Sequence, residues 1–351
     1  MASKFSLLVV ACCLLSSEAV AGFIPSKVYV VVQGPQDKIA SGGIHRFKLG
    51  DQVKLFAVVE GKLGKQRVVI SAAEQLEING KKIPPGRIRR PADFPKIMLR
   101  WYKVEPTGNS YDNTVGGFHW ETIEYREHAM TAWDTKWQIA ANAHPKGTYP
   151  DTHAGAGTMA FKVAIKVGFS NLASAGKESL NRGGLDKHVP RIAFRRDDSY
   201  IGRLTELFNT PYIWGSAGVP PKLHQAERLI GSDCADFIVY GARRLGKEIP
   251  YRGSWHIPEV AKVIYEAEKI DAKGRYLTKA KKTIPISDSG VQIGDLLLFH
   301  GHVGALAEDR KPVGILDIND IMIHTYWAPP DEQPISETAY AEAKVRILRW
   351  K

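Results

Sequence analysis

A thiol and two imidazoles are the side chains of this sequence best suited to covalent chemistry. Cys234 stands in the turn Gly231-Ser232-Asp233-Cys234-Ala235-Asp236-Phe237, followed by a helical pattern of Ile238, Ala242 and Leu245 with Gly246 as its stop. A cysteine in the first turn of a helix faces unpaired N–H groups and the positive end of the helix dipole, which favour thiolate. The position predicts an apparent pKa below that of a free cysteine, about 8.5. The same N–H groups can hold the oxyanion of a tetrahedral intermediate. Asp233 reads equally as a helix cap. Asp236 adds a carboxylate that either opposes thiolate or selects a cationic substrate.

A thiolate needs a partner that exchanges protons near neutrality, and histidine has the right ordinary pKa. His302 lies in Gly301-His302-Val303-Gly304, on an apolar strand and flanked by residues of little bulk. His324, in Ile321-Met322-Ile323-His324-Thr325, falls on the next strand after a hairpin through 308–312. It is the candidate to orient His302, completing a nucleophile–base–orienter set. A metal could be suggested for His300, His302 and His324, because alternate residues of a strand share a face. No cysteine or carboxylate has ligand spacing to them, so neither a metal nor any other cofactor is assigned.

The elements around these residues divide the chain in two. From 22 to 170 it reads as an all-β, sandwich-like domain of roughly immunoglobulin type, with strands over 27–32, 52–60, 97–104, 118–125, 136–140 and 158–167. Trp101, Trp120, Trp133 and Trp137 in this part read as core and strand-face aromatics rather than a glycan platform. Residues 171–195, rich in Ser, Ala, Gly and Lys, read as a linker. From 196 to 351, helices capped near Asp197-Asp198-Ser199, at Cys234 and at Pro258 precede strands over 295–299, 302–307, 320–324 and 344–350. Helices first and strands afterwards indicate an α+β domain.

Four segments of the second half occur in a telling order. Thr210-Pro211-Tyr212-Ile213-Trp214-Gly215-Ser216 comes first, then the Cys234 turn, then Ile293-Gly294-Asp295-Leu296 leading into His302-Val303-Gly304, then Ile323-His324. In that order they resemble the NlpC-type cell-wall cysteine peptidases, over about 200–350. The resemblance implies a papain-like α+β fold and a catalytic set of Cys234, His302 and His324. It further implies hydrolysis of amide bonds in peptidoglycan stem peptides, usually between D-glutamate and the diamino acid. Tyr212 matches the family's tyrosine beside the nucleophile, and Asp233 the residue that helps seat the stem-peptide amine. With Trp214 and Asp236 they are the candidate substrate-binding residues. Two departures bear on specificity: Ser216 replaces a glycine, and Ala235-Asp236 replace a Ser-Gly/Ser pair. Two alternatives stay open, a related amidase cutting between sugar and peptide, and a wall-binding protein without catalysis.

The rest of the sequence suits an envelope location. Lys4, the apolar stretch 5–15 and Ala19-Val20-Ala21 read as an export signal cleaved before Gly22, so that Cys12 and Cys13 are lost and Cys234 is the remaining thiol. Val9-Val10-Ala11-Cys12 also resembles a lipoprotein box, but the apolar stretch before it is short and cleavage at Ala21 is favoured. A periplasmic or secreted protein is expected, with no transmembrane span. A net charge of +11 suits an anionic cell-wall polymer. The densest basic stretch, 81–90, is broken by Pro84 and Pro85, and no nucleic-acid stripe is read there.

Overall fold

The computed structural model describes residues 22–94, 96–141 and 153–351; the expected signal segment and Cys12 lie outside them. Alternating apolar residues build two facing sheets in the first half. In one, Phe23–Gln33 pairs antiparallel with Val53–Leu63, which also pairs with Gln66–Ser71 and Gln138–Ala141. In the other, Gly157–Val167 lies between Met98–Pro106 and Arg191–Arg195. Val28, Val30 and Val32 of the first sheet share a core with Trp101, Phe161, Val163 and Phe194 of the second. Trp101 is fully buried and donates its indole N–H to the Lys136 carbonyl at 2.8 Å.

Several expectations are corrected here. Arg191–Arg195 runs parallel to Ile44–Lys48, and two further strand pairs in the first sheet are parallel, unlike an antiparallel immunoglobulin sandwich. The expected linker 171–195 is built into the structure, because Ile192 and Phe194 alternate toward the core from a strand between two others. No strand forms over 118–124. The backbone there is held instead by Asn113, whose side-chain oxygen accepts from the Glu121 N–H at 3.1 Å.

The α+β, papain-like expectation is overturned. The described residues hold three α-helices, α1 (Tyr200–Leu204), α2 (Cys234–Arg244) and α3 (Ile257–Val260), of which only α2 exceeds five residues. The molecule is mostly β, in several sheets. The helix expected after Pro258 stops at Val260 and continues as the strand Ala261–Ala267, where Val263, Ile264 and Tyr265 favour extended backbone and Val345–Trp350 supplies a pairing edge. That strand begins a six-stranded antiparallel sheet, continuing through Val345–Trp350, Leu296–Phe299, His302–Glu308 and Ile321–His324 to Asp331–Pro334. Helix α2 packs Ala235, Ile238 and Ala242 into one core with Leu296, Val303, Ala305 and Leu348 of this sheet.

The two halves are knit together. Ser110–Asp112 pairs parallel with Tyr212–Trp214, and the Asn113 amide donates to the Gly215 carbonyl at 3.1 Å and the Gln225 side chain at 2.9 Å. At the centre, the fully buried Glu206 carboxylate meets Arg46 at 3.4 Å, Arg203 at 3.6 Å, Arg195 at 3.9 Å and Arg244 at 2.9 Å, and accepts from the Tyr240 hydroxyl. Glu206→Gln leaves those guanidiniums without their shared anion. It should destabilise the protein by roughly 3–5 kcal/mol in urea unfolding, whereas Glu268→Gln, which breaks an exposed pair with Lys344, should leave the midpoint unchanged.

Candidate active site

Asp233 caps α2, its Oδ1 accepting from the Asp236 N–H at 2.9 Å, and this fixes Cys234 as the first helical residue. The thiol is 3% exposed and faces the N–H groups of Val303 and Ala235. The Val303 contact sets the sulphur against the strand His302–Glu308, beside His302 in the chain. His302 is fully buried, and its Nε2 lies 2.9 Å from His324 Nδ1 on the neighbouring strand. Gly304 makes that approach possible: a Cβ there would lie 2.6 Å from Met322 Sδ and 3.0 Å from His324 Cβ. The ring of His302 stacks on Tyr340, centroids 4.6 Å apart, and its Nδ1 is buried without a partner among the described residues.

Burial dominates the electrostatics. It pushes the Cys234 thiol far up, with Asp233 adding, against the Val303 N–H and then Asp236 adding again. It holds His302 well below the ordinary histidine value, helped by His324, and lowers His324 to about 4. The resting pair is therefore neutral thiol and neutral imidazole, and the low thiol pKa expected from helix position alone is corrected: removal from water outweighs the dipole. Asp233 is itself raised to about 6 by burial. Asp236 is 4% exposed and is held up by burial and by Asp233. It accepts from the Ser216 hydroxyl and lies 3.3 Å from His224 Nε2, so its nearest partners are protein groups.

His324 Nε2 meets the Gln333 side-chain amide at 2.6 Å, which continues the relay behind His302. When the amide presents its N–H, His324 donates from Nδ1 and the His302 proton stays on Nδ1. When the amide presents its oxygen, every donor reverses and His302 Nδ1 becomes a free acceptor. That second polarity is the one a base at Nδ1 requires.

Tyr212 is buried beside the thiol, its Oη without a partner among the described residues. It can serve as a hydrogen-bond donor to an oxyanion formed at Cys234. Trp214, 40% exposed, stacks on Trp327 with centroids 6.1 Å apart, and Tyr212 and Tyr326 both approach Trp327, so an aromatic rim borders the site. Cys234, His302, His324, Tyr212 and Asp233 are thus brought together, Trp214 lies at the rim, and Asp236 lies behind. Gln333, Tyr326, Trp327 and Tyr340 were not anticipated, and nothing in the polar segment 331–334 marks Gln333 as a relay member. His300 stands exposed against Trp255 at 4.9 Å, and no group of three metal-ligating side chains is assembled among the described residues. No helix is long and apolar enough to cross a membrane among the described residues.

No family model, no curated protein and no solved structure matches the chain.

Labelling by iodoacetamide across pH should give an apparent thiol pKa above the free value of about 8.5. Asp233→Asn keeps a good cap while removing the charge that most opposes the thiolate, so it should move that midpoint down. A midpoint below the free value in the unmodified protein would show that burial does not govern the thiol.

Proposed function

We propose that the protein is a cysteine-type peptidase of the cell envelope that hydrolyses amide bonds in peptidoglycan stem peptides, with the D-glutamyl–diamino acid bond as the favoured target. The observation that carries the reading is the His302–His324 bond of 2.9 Å beside a thiol held at the first turn of α2. The order of the four motif segments supports the substrate class, and the net charge of +11 suits an anionic wall.

In the proposed reaction the sulphur attacks the amide carbonyl as His302 Nδ1 takes the thiol proton. The new C–S bond and oxyanion form together, and the oxyanion is met by the Tyr212 hydroxyl and by N–H groups of the α2 first turn. His302 then gives its proton to the departing amine as the C–N bond breaks. Water, deprotonated by the same nitrogen, cleaves the thioester and restores the thiol. His324 orients His302 through Nε2 and stabilises its charged form. The buried, raised thiol favours one alternative, binding of wall material without cleavage.

Mass spectrometry of muropeptides incubated with the protein decides between them, because product masses identify any bond cut. Cys234→Ala should abolish cleavage while wall binding persists. His302→Ala should lower kcat/KM by about 10²–10⁴-fold, and His324→Ala by about tenfold, near the worth of one net hydrogen bond. His324→Gln should recover part of that loss. His300→Ala should leave the rate unchanged. Because His302 is held below the ordinary histidine value, the acid limb of kcat/KM should fall below about pH 6.5. Unchanged muropeptides under all conditions, with retained binding, favour the non-catalytic alternative.

A further inference from the structure

Beyond His324, the strands Met98–Pro106 and Gly157–Val167 and the segment 328–333 border a cavity of about 310 Å³. Neither Cys234 nor His302 lines it; His324, Tyr326 and Gln333 do. Its volume is at the small end of the range that holds organic ligands, about 300–1,000 Å³. Val104, Ala160, Leu185 and Ile230 give it an apolar wall. Arg191, 1% exposed, lies in that wall.

The lining carries Lys103 and Arg191 against Glu105 and Asp331, but among the described residues Arg191 itself is not matched by a carboxylate. Arg191 donates from Nη1 to the Leu185 carbonyl at 2.7 Å, its Nε has no partner, and no carboxylate lies within ion-pair distance among the described residues. A second buried guanidinium, Arg228, donates from Nη2 to the same Leu185 carbonyl at 3.1 Å and to the Asn181 carbonyl at 2.7 Å, again without a carboxylate. Asp186 favours both cations from beyond ion-pair distance, and its own carboxylate is engaged with His188. Burial lowers Arg191 only to about 10, so it stays charged at neutral pH. The other cation lining the cavity, Lys103, is already matched by Glu105 at 2.5 Å. Pairing stabilises a buried cation, and Arg191 borders the chamber with its Nε unpartnered among the described residues.

We propose that this cavity is a binding site for a small organic carboxylate with an apolar body, its carboxylate seated on Arg191 and its body against Val104, Ala160 and Ile230. An arginine edge presents two N–H donors in the geometry of a carboxylate. The apolar wall selects a hydrocarbon body over a bare inorganic anion. The site shares His324 and Gln333 with the relay but not the thiol, and its test does not depend on the proposed peptidase activity.

The test uses the full chain carrying Cys234→Ala, so that loss of catalysis cannot affect the outcome. N-acetyl-leucine and its neutral amide, N-acetyl-leucinamide, are titrated by NMR or calorimetry. The acid should bind saturably, with a Kd tighter than about 1 mM, and at least about tenfold more tightly than the amide. Arg191→Gln should erase the preference for acid over amide. Ala160→Leu, which fills the chamber without changing charge, should weaken the acid by about tenfold; thermal unfolding establishes that each variant is folded. The acid–amide comparison on the chain with intact Arg191 stands even where a variant does not fold. Equal affinity for acid and amide, no saturation by about 10 mM, or acid binding unchanged in both folded variants would overturn the proposal.

Discussion

A carboxylate with no exposed surface, Glu206, sits among four guanidiniums that come from distant parts of the chain. Arg46 belongs to Ile44–Lys48, Arg195 to Arg191–Arg195, Arg203 to α1 and Arg244 to α2. Both sides of the cluster are costly to bury alone, so each holds the other in place. Arg46 also donates to Tyr240 at 3.0 Å, and the Glu206 carbonyl accepts from Thr158 at 2.7 Å. The helix that presents the thiol is therefore anchored to the second sheet of the first half. Its position is a property of the whole molecule.

The same exclusion of water shapes the candidate site. Thiol and imidazole are both driven to their neutral forms, so charge separation at rest is disfavoured. In the proposed reaction a polarised carbonyl, the Tyr212 hydroxyl and the α2 first turn give the developing charge a place to go, and thiol deprotonation is coupled to attack. Such a nucleophile is quiet toward solvent oxidants, which react with thiolate. The two carboxylates beside it, Asp233 and Asp236, strengthen that restraint.

Much of the site was readable because its positions obey local rules. The Asp233 cap, the start of α2 at Cys234 and its stop at Gly246, with φ at +87°, follow from residue chemistry within a few positions. Strands such as Gly157–Val167 announce themselves by period two. The misread parts depend on distant partners. Ile257–Val260 turns into a strand because Val345–Trp350 lies alongside. The segment 171–195 has the composition of a linker, yet Arg191–Arg195 is recruited between Gly157–Val167 and Ile44–Lys48. The motif order of the second half speaks for chemistry, but the overall class is mostly β, so the order of motifs and the architecture around them are separate questions. Gln333 had no local signal at all, since its role exists only where two strands bring it to His324.

The six-stranded sheet has its last strand in sequence, Val345–Trp350, seated between Ala261–Ala267 and Leu296–Phe299. Leu348 from that strand enters the core under α2, and Ile347 the core on the opposite face. This strand follows every other strand of the sheet in the chain. Until it arrives, Leu296–Phe299 has an open edge, and α2 lacks part of the floor on which it rests. The thiol and its two imidazoles all precede that strand in the chain, so the site is complete only once the strand has docked.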